Sequence, residues 1–340
     1  MKTSTKNLRS RVALLLAFLS CAPVSYGRSD KYDDIGVARD PNAVAWGGTR
    51  WSKSETDGFQ GRPRTATDND RSTFVTVAYG RYVSYYDVKQ HAPCWVAYVT
   101  DRASAKVAAK KSRTGTAFKR PSQFFTEGVV ADASKLIGVE PAEHADYSDK
   151  VPDGLDAADK VPATITALKA RSFPAIIERG HMAPNNTMKC WGSATRGEEA
   201  QTESFSLANV VAQTSGHNAP TWSELEAQCL AWANELGSVC VVAGPIYHDA
   251  AHRKHIQDRK NGEESDIPFA EALFCIVIGK RNGHVTAIGF IMPDVTARYS
   301  YRDKAVPIHD IEQATGINFM PKLGDTNPLE QAVDTAWLNN

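Results

Sequence analysis

The sequence lacks an excess of charge of either sign, since its 340 residues contain 39 Lys plus Arg and 39 Asp plus Glu. Without a net field, nothing draws a polyanion to the chain from a distance, and nucleic-acid binding would require a local basic groove. Beyond its N-terminal segment the sequence also lacks an uninterrupted apolar run of about 18 residues, the length that a membrane-spanning helix needs. We therefore expect no membrane partner for the mature chain.

Cysteine is scarce as well, at six residues, and its spacings fit no zinc-binding module. Cys21 falls in the N-terminal segment, which leaves an odd number in the rest of the chain. At least one thiol is therefore free or paired between chains, and a homodimer is compatible with the sequence. The other five, of which the last three lie in apolar segments and are expected in the core, are Cys94, Cys190, Cys229, Cys240 and Cys275.

The N-terminus has the pattern of a secretory signal peptide. Four cations precede the apolar run 12–19, which is too short to span a bilayer, and small residues suit cleavage after Gly27. We assign residues 1–27 to the signal and expect a secreted or periplasmic protein. A lipoprotein anchored through Cys21 is the less favoured alternative, because Phe18 stands where that signal usually has an aliphatic residue.

Composition divides the rest of the chain. Residues 28–73 are rich in polar side chains and Gly and carry few aliphatic residues, so they predict a polar linker or arm. Residues 74–340 form one predicted domain, which begins with three segments rich in β-branched and aromatic residues. Within it, residues 127–169 are acidic and Ala-rich with three prolines as breakers, and we interpret them as a surface insertion with short helices.

A helix is predicted over residues 222–236. Thr221 and Glu224 have the spacing of a capping box, and Gly237 supplies the C-terminal stop. The apolar residues of the segment recur every three or four positions and would bury one stripe. Glu226 lies beside that stripe, close to the helix N-terminus.

Later segments predict a sheet. The continuous apolar runs 239–243 and 273–278 suit buried strands. Asn282 and Gly283 follow the second run and precede another apolar segment, which predicts a hairpin with a primed turn. A large antiparallel sheet with helices grouped around it places the domain in the α+β class.

The most informative feature is the tetrapeptide Glu178-Arg179-Gly180-His181, which is followed by Asn209, Asn218 and Glu226. A base, a cation, two amides and a carboxylate are the groups needed to cut a phosphodiester with one hard metal ion. His181 follows an apolar segment and a glycine, as a residue at a strand end would. A single histidine is more often structural, so the hypothesis depends on the whole set.

The segment 178–184, Glu-Arg-Gly-His-Met-Ala-Pro, resembles the DRGH signature of the DNA/RNA non-specific endonucleases, a ββα-metal family that includes mitochondrial endonuclease G. Residues 203–213 are similar to the family's strand that ends in Asn and Pro-Gln. Asn218, Trp222 and Glu226 then follow at the family's spacing. The resemblance covers most of the predicted domain and implies a ββα-metal fold with a central, mainly antiparallel sheet flanked by helices.

By position, the resemblance implies that His181 is the general base that takes a proton from the attacking water. It also implies Asn218 as the direct metal ligand and Glu226 as a ligand through water. One neutral amide suits Mg²⁺, which keeps most of its waters, and Mn²⁺ is a reasonable substitute.

The resemblance further implies contacts with the substrate. Arg179 would lie near the scissile phosphate, Asn209 would orient the site through hydrogen bonds, and Arg113 would supply a second phosphate contact. Because phosphate contacts carry no base readout, the implied partners are DNA and RNA, cut without sugar or sequence preference.

The chain departs from the family pattern at three named positions. Glu178 stands where Asp is usual, Ala212 replaces Pro, and Leu230 stands where some relatives carry a cation. These departures leave open a second hypothesis, a noncatalytic nucleic-acid or surface-binding protein on a degenerate nuclease scaffold. Retention of the implied base and metal ligands favours the enzyme.

Two other features support weaker hypotheses. The segment 102–120 has a local excess of Lys and Arg that either faces a phosphate backbone or is an ordinary solvated surface. His248, His252 and His255, with Asp249, have a spacing that a transition metal could use, although a charged solvated loop suits the same pattern better.

Overall fold

The computed structural model describes residues 59–60, 62–65, 73–109, 120–147, 176–247, 253–257, 262–323 and 327–339. The predicted signal peptide 1–27, Arg113 and three members of the histidine cluster, His248, Asp249 and His252, lie outside these ranges.

Among the described residues, strands are more numerous than α-helices. In chain order they are β1 Arg64–Thr65, β2 Phe74–Ala78, β3 Tyr82–Asp87, β4 Ala92–Asp101, β5 Ile177–His181, β6 Val210–Thr214, β7 Ser238–Ile246, β8 Lys254–Gln257, β9 Glu264–Phe269, β10 Ala272–Arg281, β11 His284–Pro293, β12 Ala305–Val306 and β13 Ile317–Asn318. The α-helices are α1 Arg102–Ala109, α2 Gly128–Ile137, α3 Asn185–Met188, α4 Ala194–Glu203, α5 Ser223–Leu236, α6 Ile308–Thr315 and α7 Pro328–Gln331. None of these helices, within the ranges described, is both long and apolar enough to cross a membrane.

A seven-stranded antiparallel sheet with the order β12-β11-β10-β7-β4-β3-β2 forms the centre of the fold. Both of its faces are covered. Along β10, Leu273 and Cys275 enter the core under α5, whereas Phe274 and Ile276 enter the core under α6. Burial on both faces explains why the predicted strands read as unbroken apolar runs. The predicted α+β class is confirmed.

The predicted hairpin is also confirmed. Arg281 pairs with His284 at the ends of β10 and β11. Asn282 and Gly283 between them have φ values of 52° and 83°. Two positive φ values are what a type I′ turn requires, so Asn-Gly is the favoured sequence there.

The predicted helix 222–236 is present as α5, but its predicted capping box is wrong. The chain enters α5 through a π-helical turn, His217–Trp222, and Trp222 itself has helical dihedrals, φ −66° and ψ −42°. Thr221 instead accepts a hydrogen bond from the backbone of Tyr299 at 3.4 Å. Because the π turn continues into the helix, the first N–H groups of α5 need no side-chain cap. The predicted stop at Gly237 is confirmed, with φ 96° and its N–H donated to the Ala233 carbonyl.

The part of the predicted linker that the structure describes packs against the domain. Phe59 is buried in the core under α6, and β1 pairs with β13. The Arg62 guanidinium lies 5.5 Å from the ring centre of Tyr85. Packing therefore extends at least to Phe59, earlier in the chain than the predicted start of the domain at residue 74. The sequence did not indicate this, because one aromatic side chain in a polar segment gives no periodic signal.

The predicted insertion 127–169 is described up to residue 147. It contains α2, which ends at Gly138 with φ 70°. Tyr147 is fully buried beneath β5 and β6, and its hydroxyl donates to the His91 carbonyl at 3.1 Å. This first part of the segment is anchored in the fold rather than lying wholly on the surface.

A buried polar link joins the end of β6 to the end of β11. The backbone N–H and the hydroxyl of Thr214 both donate to Oδ1 of Asp294, at 3.0 and 2.6 Å. Asp294 is only 3% exposed, and burial raises the pKa of its carboxyl to about 8, although the bonds from Thr214 oppose the shift.

We expect Asp294→Asn to change how stability depends on pH. Between its unfolded pKa near 4 and its folded pKa of about 8, Asp294 binds a proton in the folded state that the unfolded state has lost. Its contribution to stability is therefore full below pH 4 and is lost as the pH rises to 8. In urea unfolding at pH 5, 6, 7 and 8, the wild type should lose stability relative to Asp294→Asn by up to about 1.4 kcal/mol per pH unit. A difference that does not change with pH would contradict this assignment.

Candidate active site

A second, four-stranded sheet with the order β5-β6-β9-β8 carries Glu178, Arg179 and His181 on β5. Asn209 ends the 3-10 turn before β6, Asn218 lies in the π-helical turn, and Glu226 lies on α5. Strand β5 is antiparallel to β6, and Glu178 lies opposite Gln213 in that register. As predicted, His181 ends the strand. Because side chains alternate along a strand, Arg179 and His181 share one face of β5 and Glu178 lies on the other.

His181 is buried and uncharged. Its imidazole, in a side chain that is 9% exposed, lies 5.1 Å from the ring of Phe124 and 5.0 Å from that of Phe205. Burial, with the charge of Arg120 adding to it, lowers the pKa of His181 to about 3. Nε2 of the ring finds no hydrogen-bond partner among the described residues. The neutral imidazole leaves an unsatisfied nitrogen that can accept a proton, although the burial that lowers its pKa also makes it a weaker base.

Asn209 holds the chain just after His181. Its Oδ1 accepts from the N–H of Ala183 at 2.7 Å, and its Nδ2 donates to the carbonyls of Ala183 and Ser204 at 3.0 and 2.9 Å. Its backbone carbonyl accepts from Met182. Since the whole amide is committed to the backbone and is fully buried, Asn209 can orient His181 but does not face a substrate.

Asn218 and Glu178 form a direct pair. Nδ2 of Asn218 donates to Oε2 of Glu178 at 2.6 Å. A carboxylate only accepts, so the amide nitrogen must face Glu178 and the amide oxygen must point elsewhere. The oxygen is the atom that would bind a hard cation. The longer Glu, where the family usually has Asp, therefore still reaches the predicted metal ligand.

Trp222 links Glu226 to His181. Its indole N–H donates to the His181 carbonyl at 3.3 Å and also hydrogen-bonds the Glu226 carboxylate. Glu226 is only half-buried by exposed area, yet enough protein surrounds its carboxyl for burial to raise the pKa to about 8, against the opposing indole bond. A carboxylate that is costly to ionise alone favours a cation beside it.

Arg179 lies on the His181 face of β5. Its Nε donates to the His144 carbonyl at 3.1 Å, and Nη2 donates to the same oxygen. The guanidinium lies 5.9 Å from the ring centre of Phe124. The structure thus places Arg179 beside the histidine and ties it to the 3-10 turn His144–Tyr147.

Gly180 is required by a close approach across the strands. A Cβ at this position would lie 1.9 Å from Nε2 and 2.7 Å from Cγ of Gln213. Gln213 is fully buried, and its Oε1 lies 3.1 Å from Nδ1 of His217, whose pKa burial lowers to about 3. The amide of Gln213 therefore supports the turn that presents Asn218.

We expect Gly180→Ala to destabilise the fold by about 1–3 kcal/mol, as overpacking of a dense core does. The added methyl must displace Gln213 and break its contact with His217. Urea unfolding would measure the change. Gly180→Ala should cost less in a Gln213→Ala background, where the obstructing side chain is absent; an equal cost in both backgrounds would show that Gln213 is not the cause.

Within the described ranges, no group of three or more His, Cys, Asp or Glu side chains is arranged to hold a metal ion. The oxygen atoms of Asn218, Glu178 and Glu226 nevertheless fit Mg²⁺, which prefers oxygen and binds through few protein ligands. His255, the described member of the predicted histidine cluster, pairs with Glu264 at 3.0 Å.

Sequence reasoning missed several residues that shape the site. Phe124 and His144 come from the segment before β5, and His217 lies in the π-helical turn after β6. None belongs to a local pattern, because their neighbours are brought together only by the packing of distant segments. A side chain packed closely against Gly180, which proves to be that of Gln213, could have been suspected from the glycine alone.

Most of the chain is similar to known proteins. A sequence model of the family described as DNA/RNA non-specific endonuclease matches residues 63–326. The mitochondrial nuclease EXOG of Mus musculus is 26% identical over 231 residues, which are 65% of this chain and 58% of that protein. The mitochondrial Nuclease 1 of Schizosaccharomyces pombe is 25% identical over 53% of this chain and 56% of that protein. The matched part thus spans less than two thirds of these relatives.

A solved structure of EndoG in complex with EndoGI has a TM-score of 0.50 and covers 81% of this chain and 94% of that chain. Its sequence identity is 17%, so the likeness concerns the fold alone.

Proposed function

Since the chain belongs to the DNA/RNA non-specific endonuclease family, we propose that it is a metal-dependent endonuclease that hydrolyses phosphodiester bonds in DNA and RNA. The observation that carries the proposal is the neutral His181, with an unsatisfied ring nitrogen, on the same strand as Glu178, which binds Asn218. A proton acceptor beside a carboxylate–amide pair serves hydrolysis, whereas a noncatalytic binding protein needs neither. The geometry therefore favours the enzyme over a noncatalytic binding protein.

His181 acts as the general base in this proposal. Its ring takes a proton from the attacking water, and Asn209 and Trp222 fix its backbone while Phe124 and Phe205 confine its ring. The uncharged form persists at neutral pH because burial disfavours the imidazolium. General base catalysis of this kind contributes about 10²–10⁴-fold to rate.

A divalent cation would be held by Asn218, with Glu178 orienting the amide and Glu226 holding its water shell. When bound, it supplies positive charge to the phosphoryl oxygens of the substrate. Mg²⁺ is the proposed ion and Mn²⁺ a substitute. Arg179 adds a fixed positive charge on the His181 face, and no group described here reads a base, so cutting without sequence preference is expected.

The test is cleavage of plasmid DNA and of a structured RNA by the purified protein. Both should be cut with Mg²⁺ or Mn²⁺ and left intact when EDTA is added. If neither nucleic acid is cut at any Mg²⁺ or Mn²⁺ concentration, the noncatalytic hypothesis replaces the enzyme.

We propose further that the protein is exported, on the basis of the cations and the short apolar run before residue 20. The names of the two relatives given above include the word mitochondrial, and that location is a property of those proteins. N-terminal sequencing of the protein from its native host should give a mature chain that begins at Arg28. A chain that keeps residues 1–27 would contradict export by this signal, and a lipid on Cys21 would favour the lipoprotein alternative.

A further inference from the structure

We propose that His144, with Phe124, forms a subsite for the phosphodiester that flanks the scissile one in a nucleic-acid strand. The proposal rests on the proposed function of the site. The rings of His144 and Phe124 stack with centres 6.0 Å apart and an angle of 22°. The ring of Phe124 in turn lies 5.1 Å from that of His181. A single ring therefore separates His144 from the proposed base.

The tautomer of His144 is fixed by its surroundings. The backbone N–H of Phe124 donates to Nδ1 of His144 at 3.1 Å. Nδ1 must therefore carry the lone pair, and in the neutral ring the proton lies on Nε2. Partial burial and the charge of Arg179 both lower the pKa of His144, which favours the neutral ring. Nε2–H lies on the ring edge opposite Nδ1 and is directed away from the Phe124 backbone.

The charges around this ring suit a phosphate. The Arg179 guanidinium donates to the carbonyl of His144, and the Arg120 guanidinium lies 5.3 Å from the ring centre of Phe205. The carboxylate of Asp146 accepts a hydrogen bond from the backbone N–H of Glu143 at 2.6 Å and keeps its negative charge. One cation, Arg179, thus lies beside the Phe124 ring, and a second, Arg120, lies beside the neighbouring ring of Phe205.

Phe124 completes the subsite. Its ring is half-buried, so part of its surface remains available to the sugar or base of the same nucleotide. Contact between a base and an aromatic ring is tolerant of sequence, since every base has a π face. The subsite would then lengthen the bound substrate by one nucleotide without adding sequence preference.

Two variants of His144 separate a substrate contact from a structural role. In His144→Asn, the amide oxygen can replace Nδ1 as the acceptor for Phe124, but the donor at Nε2 is lost. In His144→Gln, the amide nitrogen can replace the Nε2 donor, but the acceptor is lost. A structural role predicts that the Gln variant is the weaker enzyme, and the proposed phosphate contact predicts that the Asn variant is.

The assay compares a 12-nucleotide DNA with a p-nitrophenyl ester of thymidine phosphate, which has no flanking phosphate. We expect His144→Asn to raise KM for the oligonucleotide about tenfold, the value of a hydrogen bond to a charged group. Its kcat for the oligonucleotide and its kcat/KM for the ester should stay within twofold, and His144→Gln should resemble the wild type. His284→Asn, at the exposed hairpin, is the matched control.

Three results would overturn the subsite while the wild type still cuts DNA. They are equal losses of kcat/KM on the oligonucleotide and the ester, lower activity in His144→Gln than in His144→Asn, or an unchanged KM in His144→Asn. A wild-type protein that cuts neither substrate would instead refute the proposed function, and the subsite with it. Thermal unfolding of each variant distinguishes a lost contact from a lost fold.

Discussion

Replacing His181 with alanine is expected to lower kcat for DNA and RNA cleavage by about 10²–10⁴-fold, the usual contribution of a general base. The imidazole is the proposed proton acceptor, and the described residues offer its Nε2 no other partner. Single-turnover cleavage of an end-labelled oligonucleotide at saturating Mg²⁺ would measure the effect. Because the imidazole donates no described bond from Nε2, folding should survive, and thermal unfolding would confirm it.

His284→Ala serves as the matched control, since His284 is exposed at the start of β11 and far along the chain from the site. It should cut at the wild-type rate. A His181→Ala protein that keeps more than a tenth of wild-type kcat would remove the histidine from the role of base.

The same residue predicts the pH dependence. Burial lowers the pKa of His181 to about 3, so the neutral form is already complete near pH 5. With saturating Mg²⁺, the acid limb of kcat/KM should therefore fall below pH 5 rather than near 6.5, where an exposed histidine titrates. If the acid limb of kcat/KM instead lies near pH 6.5 and disappears in His181→Ala, the imidazole is exposed to water in solution and is not buried as described.

Asn218→Ala is expected to have the second large effect, a loss of about 10²-fold or more in kcat/KM at 1 mM Mg²⁺, because it removes the proposed direct metal ligand. Glu178→Gln should cost less, about 10–100-fold, as is usual for a residue that orients a ligand. A Gln can donate as well as accept, so it no longer forces the Asn218 nitrogen toward itself. Titration of Mg²⁺ in a cleavage assay measures both variants.

Both variants should regain part of their activity at high Mg²⁺, since the defect lies in cation affinity. Glu198→Gln, on the exposed surface of α4, is the control for loss of one carboxylate and should leave the Mg²⁺ dependence unchanged. If Asn218→Ala has the same half-maximal Mg²⁺ concentration as the wild type, the cation binds elsewhere.

The local elements were predictable from the sequence because their signals are local. The Asn282-Gly283 hairpin and the stop at Gly237 depend on residues that tolerate positive φ, and both are confirmed. The end of β5 at His181 was also predictable, because an apolar segment leads directly into the motif 178–181. The capping box at Thr221 was wrong because tertiary contact with Tyr299 and a π turn replaced the local cap.

The supporting residues could not be predicted in the same way. Phe124 and His144 precede His181 by tens of residues, and contacts over such a separation leave no trace in periodicity. The roles of Asn209 and Glu178 could also be assigned only from the structure. The Asn209 amide hydrogen-bonds only to the backbone, and the Glu178 carboxylate accepts from the amide of Asn218. A resemblance can assign such residues to a site, but only geometry says what each one touches.

The most direct test of the account is the position of Mn²⁺ in crystals of His181→Ala with an uncleaved oligonucleotide. Anomalous diffraction should place one Mn²⁺ on the amide oxygen of Asn218, in contact with a phosphate of the bound strand. A Mn²⁺ peak away from Asn218, or none at the bound phosphate, would contradict the proposed one-metal site.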